Sequence, residues 1–98
     1  MEVVFEWDAS KARTNEGKHG VTFEEAKSLF SDPFLVTFPN EGHSDAEERY
    51  ISIGRSARGR VLLVVHTERG TEEEMVIRII SCRKATPFER RTYEEDEG

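Results

Sequence analysis

Lys11, Asn15 and Lys18 recur at i, i+4 and i+7, so a helix over this stretch presents all three on one face, with His19 next in the chain. Arg55, Arg58 and Arg60 crowd a second short segment, and Arg83 and Lys84 a third. Fixed cations near an imidazole suit phosphodiester chemistry. When a ribose 2′-OH attacks the adjacent phosphorus, negative charge grows on the equatorial oxygens, where Arg or Lys donors stabilise it. A guanidinium fork binds two such oxygens at once. One proton must leave the 2′-OH and another must reach the 5′-oxygen, work for His, Glu or a perturbed Lys. The three histidines, His19, His43 and His66, are scattered without HxH or HExxH spacing, and Cys82 is the single cysteine. No metal site and no organic cofactor is therefore expected. GxSxG, P-loop and GxGxxG motifs are absent.

The positions of these groups depend on the elements that carry them. Val3, Phe5 and Trp7 alternate with Val4 and Glu6 as a short strand. Asp8 is suited to cap a helix running to about Lys18, with Gly20 as its stop. Thr22 and Glu25 form a capping box for a second helix, Val21 can staple onto Ala26, and Phe23, Ala26, Leu29 and Phe30 make its buried stripe up to Pro33. Phe34, Val36 and Phe38 alternate as a strand, and the polar stretch 39–47 reads as a loop. Strands follow at about 49–54, 60–67 and 75–82, the last two apolar nearly throughout, as central strands covered on both faces would be. Thr86-Pro87-Phe88-Glu89 opens a short C-terminal helix with a second capping box.

The order β-α-α-β-β-β-β-α predicts an α+β fold with a mainly antiparallel sheet packed by helices. If the last three strands form a meander, Arg55, Arg58, Arg60, Arg83 and Lys84 meet at one edge of the sheet. Arg69 and the glutamates at 72–74 fall at the opposite edge.

Ninety-eight residues make one domain, expected over 1–93, with 94–98 as an acidic, solvated tail. The net charge of −6 argues against a polyanion ligand, but the acids are bunched. Without the four acids at 94–97 the charge is −2, and without Glu72, Glu73 and Glu74 as well it is +1. No membrane-spanning run and no signal-peptide pattern is present, and the lone cysteine fits a reducing cytoplasm.

Each feature also has a plain structural explanation. Cations at a sheet edge are more often solubilising charges, and the Lys11/Asn15/Lys18 face is more often the wet side of a helix. His19 could serve the helix dipole ahead of the C-capping glycine as well as it could serve catalysis. His66, inside an apolar strand, reads as packed rather than as a base. Trp7 at a strand end suggests core packing, and Tyr93 fits a core, a stacking or a tail position equally. These residues alone describe a small α+β domain able to bind RNA.

A resemblance across residues 5–94 adds to this. Phe5-Glu6-Trp7-Asp8, Lys11, Asn15, Lys18-His19-Gly20-Val21 and Phe23-Glu24-Glu25-Ala26 resemble the opening of the BrnT toxins. So do Asp32-Pro33, the stretch Glu48-Arg49 through Ile53-Gly54-Arg55-Ser56, Gly59-Arg60, the run Ile79 to Ala85, Glu89-Arg90-Arg91 and Tyr93-Glu94. Cys82 stands where alanine is expected and His66 where an aromatic residue is usual. The resemblance implies a RelE-like fold and a cytoplasmic endoribonuclease toxin that cleaves RNA without metal. It also implies neutralisation by a BrnA-type antitoxin in a complex of two toxins and two antitoxins, which contacts operator DNA only through the antitoxin. His19, Lys18, Arg55 and Arg83 are the implied catalytic group, with Lys11 as an RNA-phosphate ligand; Arg58, Arg60 and Lys84 are RNA-binding candidates by their expected place at the cationic sheet edge. The rival expectation is a non-catalytic module that binds the antitoxin and aids repression.

Overall fold

The computed structural model describes residues 1–40 and 48–97. The chain runs β1 (Glu2–Glu6), α1 (Ala9–His19), α2 (Phe23–Ser28) ending in a 3-10 turn (Leu29–Ser31), β2 (Val36–Pro39), β3 (Arg49–Arg55), β4 (Val61–Gly70), β5 (Glu74–Lys84) and α3 (Pro87–Glu97). This is the expected order. His43 and most of the 39–47 stretch lie outside the described residues, while Pro39 closes β2. The acids at 94–97, expected as a solvated tail, form the last turn of α3.

The local signals act as the sequence suggested. Asp8 accepts from the Lys11 N–H at 2.9 Å, and Gly20 ends α1 at φ 69°, a left-handed conformation natural to glycine. Thr22 caps α2 through the Glu25 N–H at 3.1 Å. The box at α3 is complete: the Thr86 hydroxyl accepts from the Glu89 N–H at 3.2 Å, and the Glu89 carboxylate accepts from the Thr86 N–H at 2.9 Å.

The strands of the described residues lie in the order β1-β5-β4-β3-β2, with β1 parallel to β5 and every other pair antiparallel. Helices α1 and α2 cover one face, where Leu62, Val64, Ile79 and Cys82 pack on Val21, Phe23, Ala26 and Leu29. Trp7 joins this layer with its ring edge-on to Phe23 at 6.0 Å, a packing role. On the other face α3 closes a smaller cluster in which Tyr93, now a core residue, meets Ile53, Val61 and Leu63. Only β4 matches the expectation of a strand covered on both faces. Along β5, Ile77, Ile79 and Cys82 are buried while Val76 and Ile80 are half-buried, because α3 covers only one end of its side of the sheet. A bulge opposite Val65 and His66 leaves Ile80 as the extra residue, so Ile79 and Cys82, three apart, share the helix-covered face.

His66 is fully buried in that layer, edge-on to Phe30, with Nε2 2.7 Å from the Ser52 hydroxyl. Its Nδ1 has no hydrogen-bond partner among the described residues, and Glu68 Oε1 is 3.8 Å away. Burial holds the imidazole down at about 4, from an ordinary 6.5. It is a packed, neutral histidine. The unfolded chain takes up this proton near pH 6.5 and the folded chain only near 4, so stability should fall as pH drops through that window. The loss from this group is about 3 kcal/mol by the linkage of pKa shift to stability. His66→Phe should flatten that part of the pH–stability curve in urea titrations, since the Ser52 hydroxyl keeps Thr37 Oγ1 at 2.7 Å. An unchanged slope would assign the acid sensitivity elsewhere.

Candidate functional site

The β3–β4 hairpin and the end of β5 do bring Arg55, Arg58, Arg60, Arg83 and Lys84 to one end of the sheet. They do not form one cluster, because alternate residues of a strand face opposite sides. Arg55 pairs with Val61 and Arg83 with Leu63, which puts both arginines on the α3 face. Lys84 pairs with Leu62 on the α1–α2 face. Arg60, on that same side, reaches back to α2.

Most of these cations are already paired with acids. Glu25, with its side chain 5% exposed, accepts from Arg60 Nε at 2.9 Å and Nη2, and from the Ser56 hydroxyl at 2.7 Å. Arg58 Nη1 approaches the same carboxylate at 3.6 Å. Arg60, and Ser56 after it, hold the Glu25 carboxyl below its usual range against the opposing effect of burial. This is an anchor for the hairpin, and it removes Arg60 from the set of available phosphate ligands. The expected capping box at Thr22 is thus half-formed: the Glu25 backbone is capped, while its carboxylate serves Arg60.

Arg55 and Arg83 flank α3. Arg83 makes a bidentate pair with Glu89 at 2.8 and 2.9 Å, and this holds Glu89 at about 2. The Arg55 guanidinium lies over the Tyr93 ring, 6.0 Å from its centroid, and donates to the Gly59 carbonyl at 3.1 Å. Its backbone is fixed by Asp32, whose Oδ2 accepts from the Arg55 N–H and the Tyr93 hydroxyl, each at 2.7 Å. Two strand spacings, about 10 Å, separate β3 from β5. The two arginines therefore share a face without touching a common partner group.

A second group of basic side chains lies along α1. Lys11, Lys18 and His19 line one groove of about 250 Å³ together with Ser10, Thr14, Asn15, Ile80 and Ser81, and no acid among the described residues lines it. Lys11 and Lys18 are exposed, and His19 is half-buried. The groove forms because β1 pairs with β5 only as far as Arg78, leaving the edge of β5 beyond that point to α1. Asn15 fills the gap. Its Nδ2 donates to the Cys82 carbonyl at 2.9 Å and the Val21 carbonyl at 3.1 Å, and its Oδ1 accepts from the Cys82 N–H at 3.1 Å. At 6% exposure it is the opposite of the wet residue expected from the helix pattern. Its polarity had hidden a buried role that only the partner backbone reveals. Cys82 beside it is buried, with its thiol pushed up to about 12 by that burial, and is not a nucleophile.

Ser81 and Arg83 share a face of β5, two residues and about 7 Å apart, and Arg83 lies outside the groove's own lining. Among the described residues no cluster of three His, Cys, Asp or Glu groups is placed to hold a metal ion. The sheet of this α+β fold is edged by a groove with two lysines, an imidazole and no acid among the described residues, a lining whose chemistry suits a phosphate-bearing ligand.

Comparison with known proteins agrees with that class. The family of BrnT ribonuclease toxins of type II toxin–antitoxin systems matches residues 7–89, and the chain belongs to this family. Its fold is similar to the 1.1 Å crystal structure of the Brucella abortus ribonuclease toxin BrnT, with TM-score 0.62 and 26% identity over 88% of this chain and 99% of that one. No curated protein sequence matches the chain. Membership makes this a ribonuclease toxin of a type II system, with an antitoxin as its partner. No helix among the described residues is long and apolar enough to cross a membrane.

Proposed function

We propose that the chain is an endoribonuclease toxin that cleaves RNA by 2′-OH attack without a metal, using the groove between α1 and β5. The observation that carries this reading is the convergence of Lys11, Lys18 and His19 on Ser81 in a groove with no acid among the described residues. His19 moves a proton at the reacting ribose or at the 5′-oxygen, and Lys18 assists electrostatically. Arg83 stabilises the phosphate charge with its fork once the RNA displaces the partly exposed Glu89 carboxylate that it binds in the free protein, and Lys11 binds a neighbouring phosphate. Arg55 acts from the far side of α3. The 2′-oxygen–phosphorus bond forms as the phosphorus–5′-oxygen bond breaks, leaving a 2′,3′-cyclic phosphate and a 5′-hydroxyl. Arg58, Arg60 and Lys84 contribute to the general field over the RNA more than to the reacting phosphate, since Glu25 already binds the first two. A BrnA-type antitoxin neutralises the toxin in the cytoplasm, in a complex of two copies of each, and carries the contact with operator DNA.

Purified protein incubated with RNA, with and without EDTA, tests this. Cleavage should persist in chelator, and loss of cleavage on chelation would overturn the metal-free reading. His19→Ala should lower the cleavage rate by about 10²-fold or more, with a melting temperature close to wild type. A large fall in stability with cleavage per folded molecule unchanged would instead make His19 a helix-end residue.

A further inference from the structure

The two halves of the proposed site belong to different elements. Lys11, Lys18 and His19 come from α1, and Ser81 and Arg83 from β5. No strand joins them at this point, since β1 leaves β5 at Arg78. The connection is the Asn15 carboxamide. It exchanges both backbone hydrogen bonds with Cys82, as a neighbouring strand would, and ties α1 to the Val21 carbonyl with its second N–H. Asn15 sits one turn from Lys11, one turn from His19 and three residues before Lys18. Cys82 lies between Ser81 and Arg83. We infer that Asn15 is the positioning residue of the site, holding the α1 imidazole and lysines in register with the Arg83 fork across the free edge of β5.

This inference rests on the RNA-cleavage reading of the groove and adds to it a residue that never touches substrate. A phosphate held between two elements is served only while their separation is fixed, and a misplacement of about 1 Å can lower a rate by about 10²-fold. Asparagine suits the role because one planar group carries a donor pair and an acceptor. Aspartate has the same shape and no donor when ionised, so it would face the Cys82 and Val21 carbonyl oxygens with matching negative charge.

The test uses the full chain and three sets of measurements. Asn15→Ala, assayed well below its melting temperature, should lose about 10²-fold in kcat for RNA cleavage while KM stays within about threefold, because the exposed cations still bind RNA. In that background His19→Ala and Arg83→Ala should become additive, whereas in the wild-type background they act as one unit. Should Asn15→Ala fail to fold, Asn15→Asp supplies a pH profile. Position 15 faces the Cys82 thiol from β5, with Lys11, Lys18 and His19 along its own helix and the Glu25–Arg60 pair beyond Cys82. Protonation of the new carboxyl restores a donor to the Cys82 carbonyl, so kcat relative to wild type at each pH should rise as pH falls from about 7.5 to 5. A folded Asn15→Ala protein with kcat within threefold of wild type overturns the inference, provided that His19→Ala and Arg83→Ala are impaired; so does an Asn15→Asp ratio that stays flat. If His19→Ala and Arg83→Ala themselves cleave like wild type, the groove is not the active site and the underlying reading fails instead.

Discussion

Arg83→Ala should yield a folded protein whose RNA cleavage is slower by about 10²–10³-fold, the usual effect of removing one preorganised donor to a developing oxyanion. Arg83 carries its guanidinium on the same strand and face as Ser81, which lines the groove. Its fold contribution is small. The Arg83–Glu89 pair is partly exposed, at 38% and 23%, so it adds only about 1 kcal/mol after solvent screening. Glu89 also keeps its capping bond to the Thr86 N–H when the arginine is removed. The variant should therefore melt within a few degrees of wild type while no longer arresting growth of an expressing cell. Arg83→Lys keeps a charge but loses the fork, and should fall between the two. Undiminished growth arrest by a well-expressed Arg83→Ala protein would remove Arg83 from the site.

The largest effect on stability is expected at Glu25. Its carboxylate is buried and accepts from Arg60 and Ser56, and Arg60 is itself only 24% exposed. Removing one member of such a pair strands the other charge, a loss of about 3–5 kcal/mol. A domain of this size has about 5–15 kcal/mol in total, so Glu25→Ala should be largely unfolded at growth temperature. Glu25→Gln keeps the shape and one acceptor and should lose less. Urea titration reads both. A loss below about 1 kcal/mol for Glu25→Ala would show that the hairpin is anchored by other contacts.

The element order was legible because the punctuation is local. Asp8, Gly20, Thr22 and the Thr86–Glu89 box each act on backbone groups within a turn of themselves, so short-range chemistry states where helices begin and end. The candidate residues were legible by type, and the gathering of Arg55, Arg58, Arg60, Arg83 and Lys84 at one end of the sheet was legible from the strand order. Its division between faces could have been found, since Arg83 and Lys84 are adjacent on a strand and must point opposite ways. Other features were not available to a one-dimensional pattern. Asn15 looks wet by spacing, and only the early end of β1 shows that a side chain must stand in for a strand at Cys82. The bulge at Ile80 shifts the face of every later residue of β5 without leaving a mark in its apolar run. Glu25 obeys its local signal through its backbone while its carboxylate answers Arg60, 35 residues away. Long-range pairing joins Arg58 and Arg60 to Glu25 and Arg83 to Glu89, and the candidate site is therefore proposed at the groove along α1 rather than at the hairpin.

The central claim is that this groove cleaves RNA by attack of the ribose 2′-OH. The most direct measurement is mass analysis of the products from two oligonucleotides, one all-ribose and one with a single 2′-deoxy residue at the cleaved position, both in EDTA. The first should yield 2′,3′-cyclic phosphate and 5′-hydroxyl ends, and the second should stay intact at that bond. Cleavage of the deoxy-substituted bond, or 5′-phosphate ends from the ribose strand, would contradict it.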